Sequence, residues 1–229
     1  MIFSRRRGNA GRHSAGANGP GKRGSTPVGV VEDADEGTPQ GAPEFGPYDL
    51  IEAPHDGQER LDLGALRVPA VGGVEIHLQA GPQGQIQQIQ LVYGGSRLSL
   101  AVYAAPRTEG IWAQVRETLQ QSLVEGGAHA EVIDGDYGPE LRAKLRDGAT
   151  STEVRHVGID GPRWFVHAVF LGAAAFQPDQ AGPLSEVLRG LVVDRGNEAR
   201  PVQEALPLRL PAEAAAQLAD ATAPDRQAT

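Results

Sequence analysis

From Val74 to Gln79 the apolar residues Val74, Ile76 and Leu78 alternate with Glu75, His77 and Gln79. A period of two places one face of a strand in a core and the other in solvent. Gly81-Pro82-Gln83-Gly84 has the composition of a turn. The alternation then resumes at Ile89, Leu91 and Tyr93, interleaved with glutamines. Gly94-Gly95 turns the chain again into Arg97–Ala105, with Leu98, Leu100 and Val102 on one face and Pro106 as the stop. Two tight connections in succession predict an antiparallel meander.

The period changes after Pro106. Ile111, Trp112, Val115, Leu119 and Leu123 recur every three to four residues, the apolar stripe of a helix packed on one side. Thr108 is expected as its N-cap, and Gly126-Gly127 ends it. Strands are expected near Ala130–Ile133, Leu141–Leu145 and Thr152–Ile159, followed by a turn at Asp160-Gly161-Pro162 and a strand over Arg163–Leu171. Leu184, Val187, Leu188 and Leu191 mark a second helix that starts near Pro183 and Ser185. The order β-β-β-α-β-β-β-β-α predicts an α+β fold, a mainly antiparallel sheet with two packed helices.

Composition sets the boundaries. Residues 1–46 are rich in Gly, Ser, Pro and charge, with almost no large apolar residue before Phe45. Such a segment cannot offset its ordering entropy by burial, so a disordered tail is expected there. It is basic first (Arg5, Arg6, Arg7, Arg12, Lys22 and Arg23, with no acid before residue 26) and acidic afterwards, with ten Asp or Glu between residues 31 and 62. A single domain is expected over 47–211. The Ala-rich end, 212–229, is long enough only for a short, marginal helix.

Charge and chemistry narrow the function classes. Between residues 63 and 200 twelve basic residues face fifteen acidic ones, a mixture without the broad positive field that phosphates need. Nucleic acid is therefore disfavoured for the core, and a weak association could come only from the N-terminal arginines. No cysteine is present, which removes disulfides, thiolate nucleophiles and thiolate metal sites. No apolar run approaches the ~20 residues of a membrane span. The start of the chain lacks the apolar stretch of a secretory signal, so a cytoplasmic protein is expected.

Candidate sites are sparse. The six histidines show no HxH or HExxH spacing, so no metal is expected. Asp134-Gly135-Asp136 reads as a turn. Gly72-Gly73 and Gly94-Gly95 do not open helices, the serines lack a nucleophile elbow, and no cofactor motif occurs. In Arg163–Leu171 alternation puts Trp164, Val166, Ala168 and Phe170 on one face, with Phe165, His167 and Val169 on the other. Both faces are apolar, which predicts a central strand with His167 at the edge of a core. Asp134 and Asp160 are the carboxylates that could orient it. Arg107 and Glu109 sit at a strand-to-helix junction. Arg107, Glu109, Arg163 and His167 are accordingly the candidate ligand-binding residues, for a small-molecule binder or an enzyme. The reading leans away from catalysis, toward a domain that binds a protein partner of unknown identity. An uncovered sheet edge or face lined by Gln85, Gln87, Gln88 and Gln90 would favour that reading.

The blocks LDLGALRVPA (Leu61–Ala70), YAAPRTEGIWAQVR (Tyr103–Arg116), GIDGPRWFVHAVFLG (Gly158–Gly172), PLSEVLRGLVVDRG (Pro183–Gly196) and LPLRLP (Leu206–Pro211) carry a resemblance. Over about residues 45–211 the chain resembles the uncharacterised actinobacterial domain-of-unknown-function family number 3710. The resemblance implies a one-domain cytoplasmic bacterial protein and no particular activity, cofactor or catalytic residue. The order of elements is also similar to the α/β/α sandwich of the photosystem P-protein fold.

Overall fold

A computed structural model describes residues 45–80, 86–147 and 150–211. The expected tail up to residue 44, the turn at Gly81–Gly84, Gln85 and the Ala-rich end from residue 212 lie outside the described residues, as does the side chain of Gln87.

The meander expected from the period-two pattern is β4 (Glu75–Ala80), β5 (Ile86–Tyr93) and β6 (Ser96–Ala104). It is followed by helix α1 (Trp112–Glu125), β7 (His129–Gly135), β8 (Gly138–Asp147), β9 (Thr150–Gly161), β10 (Trp164–Leu171) and helix α2 (Gly182–Gly190). The seven strands form one antiparallel sheet in the order β4-β5-β6-β10-β9-β8-β7, so β10 is central. The fold is α+β with a mainly antiparallel sheet.

A second, four-stranded sheet was not foreseen. Its strands are β1 (Tyr48–Asp49), β2 (Arg60–Asp62), β3 (Leu66–Pro69) and β11 (Val192–Val193), in the order β1-β11-β3-β2. Strands of two to four residues are too short for alternation to register in the sequence. Leu63, Leu66 and Val68 join Leu184, Val187 and Leu188 of α2 against Trp164, Val166, Ala168 and Phe170 of β10. That is the main core. The segment after β11 closes it: Leu206 N–H donates to Val102 O (2.9 Å) and Arg209 N–H to Leu63 O (2.9 Å).

On the opposite face α1 lies over β7, β8 and β9. Ile111 and Trp112 pack there with Leu141 and Phe165, joined by the half-buried Val115, Leu119 and Leu123 of the predicted stripe. The Trp112 ring rests directly on β9, because a Cβ at Gly158 would stand 2.1 Å from it.

Two local expectations are corrected. Helix α1 begins at Trp112, so Thr108 does not cap it. The cap comes from Asp160 on β9, whose Oδ1 accepts from Ile111 N–H (2.8 Å) and whose Oδ2 accepts from Trp112 N–H (3.2 Å). A carboxylate at a helix N-terminus satisfies orphan donors and complements the dipole. Asp160→Ala is therefore expected to cost about 1–2 kcal/mol, measured by urea denaturation. An unchanged midpoint would mean that the cap adds nothing. The turn before β10 is also one residue later than expected. Gly161 pairs with Trp164, and Pro162-Arg163 form the bend, with Arg163 at φ 64°. Proline first and a positive φ second is type II geometry.

Candidate binding site

Strand β10 sets the position of His167. Its neighbours on the α1 side are Phe165 and Trp112, with ring centroids 6.2 and 6.1 Å away, and the Nδ1 of His156 lies 3.1 Å from its Nε2. In this pair one neutral imidazole donates and the other accepts. Burial disfavours the charged form of both rings. It pulls His156 down to about 4, with the His167 charge adding to the effect, and it lowers His167 as well. The carboxylate of Asp160 is engaged in the α1 cap.

Arg163, four residues earlier on the chain, is about 13 Å away along the strand. It stands among other cations: its Nη2 and Arg195 Nη1 both donate to Gly196 O, at 3.4 and 3.5 Å. Arg195 also donates to Glu198 O. Burial first, then the like charges of Arg163, Arg200 and Arg107, lower the pKa of Arg195. Arg107 and Glu109 are exposed on the loop before α1. The fold thus brings Arg107 and Arg163 to one end of the sheet, where both bear on Arg195. His167 lies farther along β10, facing a different surface.

That surface is the half of the sheet that α1 leaves open. Register aligns Gln79 with Gln88 and Gln90 with both His77 and Ser99. Gln79 and Gln88 are exposed, and Gln90, Ser99, Ala101 and Val169 are half-buried. Together with His167, five of these (Gln79, Gln88, Ser99, Ala101 and Val169) line a shallow depression of about 370 Å³. Among the described residues no layer covers it, and its centre carries no Asp, Glu, Lys or Arg.

The other face holds a feature that the sequence reading passed over. Beyond the apolar core, β7 to β9 turn charged side chains toward α2. Glu140 is 1 % exposed, and its Oε2 accepts from Arg155 Nη1 at 2.9 Å. Arg155 is further held by Ala174 O (3.2 Å) and by stacking 4.2 Å over the Phe170 ring. Burial pushes the Glu140 carboxyl up, and the Arg155 charge opposes it. Among the described residues the Oε1 of Glu140 and the Nε of Arg142 have no hydrogen-bond partner. Both residues line a cleft of about 350 Å³ whose far wall is Ala174, Ala175 and the start of α2. The signal in the sequence was the alternation Glu140, Arg142, Lys144 opposite Glu153 and Arg155, which reads as an ordinary solvated face until the Gly172–Ala175 turn is placed against it.

Among the described residues no group of three or more His, Asp or Glu is placed to hold a metal, and no helix is long and apolar enough to cross a membrane.

A family model described as "Protein of unknown function (DUF3710)" matches residues 46–217. No curated protein matches the chain. Among solved structures, a crystal structure from Bacteroides thetaiotaomicron VPI-5482 is similar at 11% identity and TM-score 0.42, covering 71% of this chain and 57% of that one. The chain thus spans little more than half the length of that protein. The solution structure of cyanobacterial PsbP (CyanoP) from Synechocystis sp. PCC 6803 is similar at 13% identity and TM-score 0.33, covering 62% of this chain and 97% of that one.

Proposed function

Starting from the fact that the chain belongs to the DUF3710 family of proteins of unknown function, we propose that it is a protein-interaction domain whose docking surface is the open half of the sheet, β4 to β6. The observation that carries this reading is the uncharged centre of that surface. Gln79, Gln88, Ser99, Ala101 and Val169 meet there without a formal charge, in a chain of which 22% is Asp, Glu, Lys or Arg. Depletion of charge at the centre of a patch is the compositional mark of protein interfaces. The fitting partner presents an uncharged surface of amide, hydroxyl and aliphatic groups, and extra backbone bonds are available along the edge strand β4.

The test is capture of partners from native lysate with the full chain and with Gln88→Arg/Ser99→Arg. Two guanidinium groups at the centre would be desolvated without partners, so recovery should fall at least ~10-fold. A control, Gln121→Arg on the exposed side of α1, should capture as the unmodified chain does. Equal recovery by all three proteins would remove this face from the function.

A further inference from the structure

Three arginines from three parts of the chain meet at one end of the large sheet. The end of β6, Ala104 with the next residue Ala105, sets their places. On one side Ala105 N–H donates to Arg163 O (2.9 Å). On the other, Ala104 N–H donates to Glu204 O and Ala104 O accepts from Gln203 N–H, both at 2.8 Å. Arg107 leaves the same strand end just beyond Pro106, and Arg195 follows β11 on the segment that leads to Gln203. Arg163 Nη2 and Arg195 Nη1 share a single acceptor, Gly196 O, and the charge of Arg107 bears on Arg195 as well.

The neighbouring acids are committed elsewhere. Glu198 and Glu204 pair with Arg200, at 2.6 and 2.9 Å, and Asp194 faces Arg67 at 3.7 Å. Among the described residues no carboxylate pairs with Arg107, Arg163 or Arg195, and Glu109 on the Arg107 loop is no exception. Nη1 of Arg163, Nη2 of Arg195 and the guanidinium of Arg107 make no hydrogen bond among the described residues, and none of these atoms is buried. Water reaches them, and so can a ligand.

The backbone at this end is held against its preference. Arg163 (φ 64°) and Gln203 (φ 67°) are the two residues other than glycine with a positive φ among the described residues, and they flank Ala104 and Ala105. Arg163 takes the third position of the type II turn, where glycine is the ordinary choice. Strain of this kind collects at binding sites, where the role of the side chain offsets it.

We propose that Arg107, Arg163 and Arg195 form a binding site for a phosphate monoester group, borne by a soluble ester or by a lipid headgroup. A carboxylate has one charge and two oxygens, which suit a single guanidinium fork. A phosphate monoester brings close to two charges and three terminal oxygens, so each of three guanidinium groups finds an acceptor. Its charge also relieves the repulsion among the three cations. The site lies at the end of the sheet, away from the uncharged centre of the open face, and stands or falls independently of the docking reading.

The test uses the full chain in two arms. One is calorimetric titration with glycerol 3-phosphate, beside malonate as a dicarboxylate of similar charge. The other is co-sedimentation with phosphatidylcholine vesicles, with and without phosphatidic acid. Saturable binding of glycerol 3-phosphate supports the site with a soluble ligand; binding only to vesicles that hold phosphatidic acid supports it with a lipid one. Arg163→Gly removes a guanidinium and frees the backbone, so its Tm should be no lower than that of the unmodified chain. Its binding should be weaker by roughly tenfold or more, the usual worth of hydrogen bonds to a charged group. Arg107→Ala, on an exposed loop, should weaken binding in the same direction and carries the comparison should Arg163→Gly fold poorly. Arg146→Ala, an exposed arginine of β8, changes the net charge equally and should bind as the unmodified chain does. Absence of binding in both arms would overturn the proposal. So would malonate bound as tightly as the phosphate ester, or an equal loss in Arg146→Ala and Arg163→Gly.

Discussion

Glu140→Ala is expected to destabilise the protein by about 3–5 kcal/mol, the cost of leaving a buried charge without its counterion. The reason is the position of Arg155. Its side chain is 16% exposed, its guanidinium is fixed over Phe170, and the Glu140 carboxylate 2.9 Å away is the only opposite charge in contact with it among the described residues. Truncation of Glu140 leaves that cation desolvated beside Ala174 O. Glu140→Gln keeps an oxygen acceptor for Arg155 and removes a carboxylate whose charge burial already penalises. A smaller loss, about 1–2 kcal/mol, should follow. Replacing the pair together, Glu140→Leu with Arg155→Met, removes both desolvation costs and should come close to the unmodified stability. Urea denaturation of the three variants decides the matter. A loss under about 1 kcal/mol for Glu140→Ala would show that Arg155 finds water readily.

Acidification should act through the two histidines. In the folded chain His156 titrates at about 4, against 6.5 for an unperturbed side chain. Its folded pKa is depressed, so the unfolded chain takes up a proton first as the pH falls. Stability is fully present above pH 6.5 and is lost between 6.5 and 4, with no further change below. That difference corresponds to about 3 kcal/mol at most. His167 is displaced in the same direction by burial and adds to the loss. Urea midpoints from pH 7 to pH 4.5 should fall steeply for the unmodified chain and more gently for His156→Gln. Parallel curves for the two proteins would exclude His156 as the source.

The long strands were legible because each keeps one face in a core over six or more residues. Leu98, Leu100 and Val102, and likewise Trp164, Val166, Ala168 and Phe170, are buried in alternation as the spacing requires. The central position of β10 followed from having two apolar faces. What failed was non-local. Thr108 looked like the cap of α1, but the carboxylate that does the capping is Asp160, about fifty residues later. The small sheet was hidden in strands of two to four residues, whose pairing is fixed by tertiary packing and not by pattern. Among the candidate residues, Arg107 and Arg163 do gather around Arg195, but only the path of the chain after β11 brings that third arginine to them. Glu140 and Arg155 belong to different strands, and nothing in either segment announces that they will pair beneath the Gly172–Ala175 turn. The open face was half visible: glutamines alternating with Ile89 and Leu91 gave its polarity, and only the placement of α1 showed that no layer covers it.

Docking through that face is tested most directly by site-specific photo-crosslinking of the full chain in native lysate. A benzoylphenylalanine at Gln88, on the open face, is compared with one at Gln121, on the exposed side of α1. A discrete protein adduct at Gln88 and none at Gln121 is the predicted result. No adduct at Gln88, or the same adducts at both positions, would contradict it.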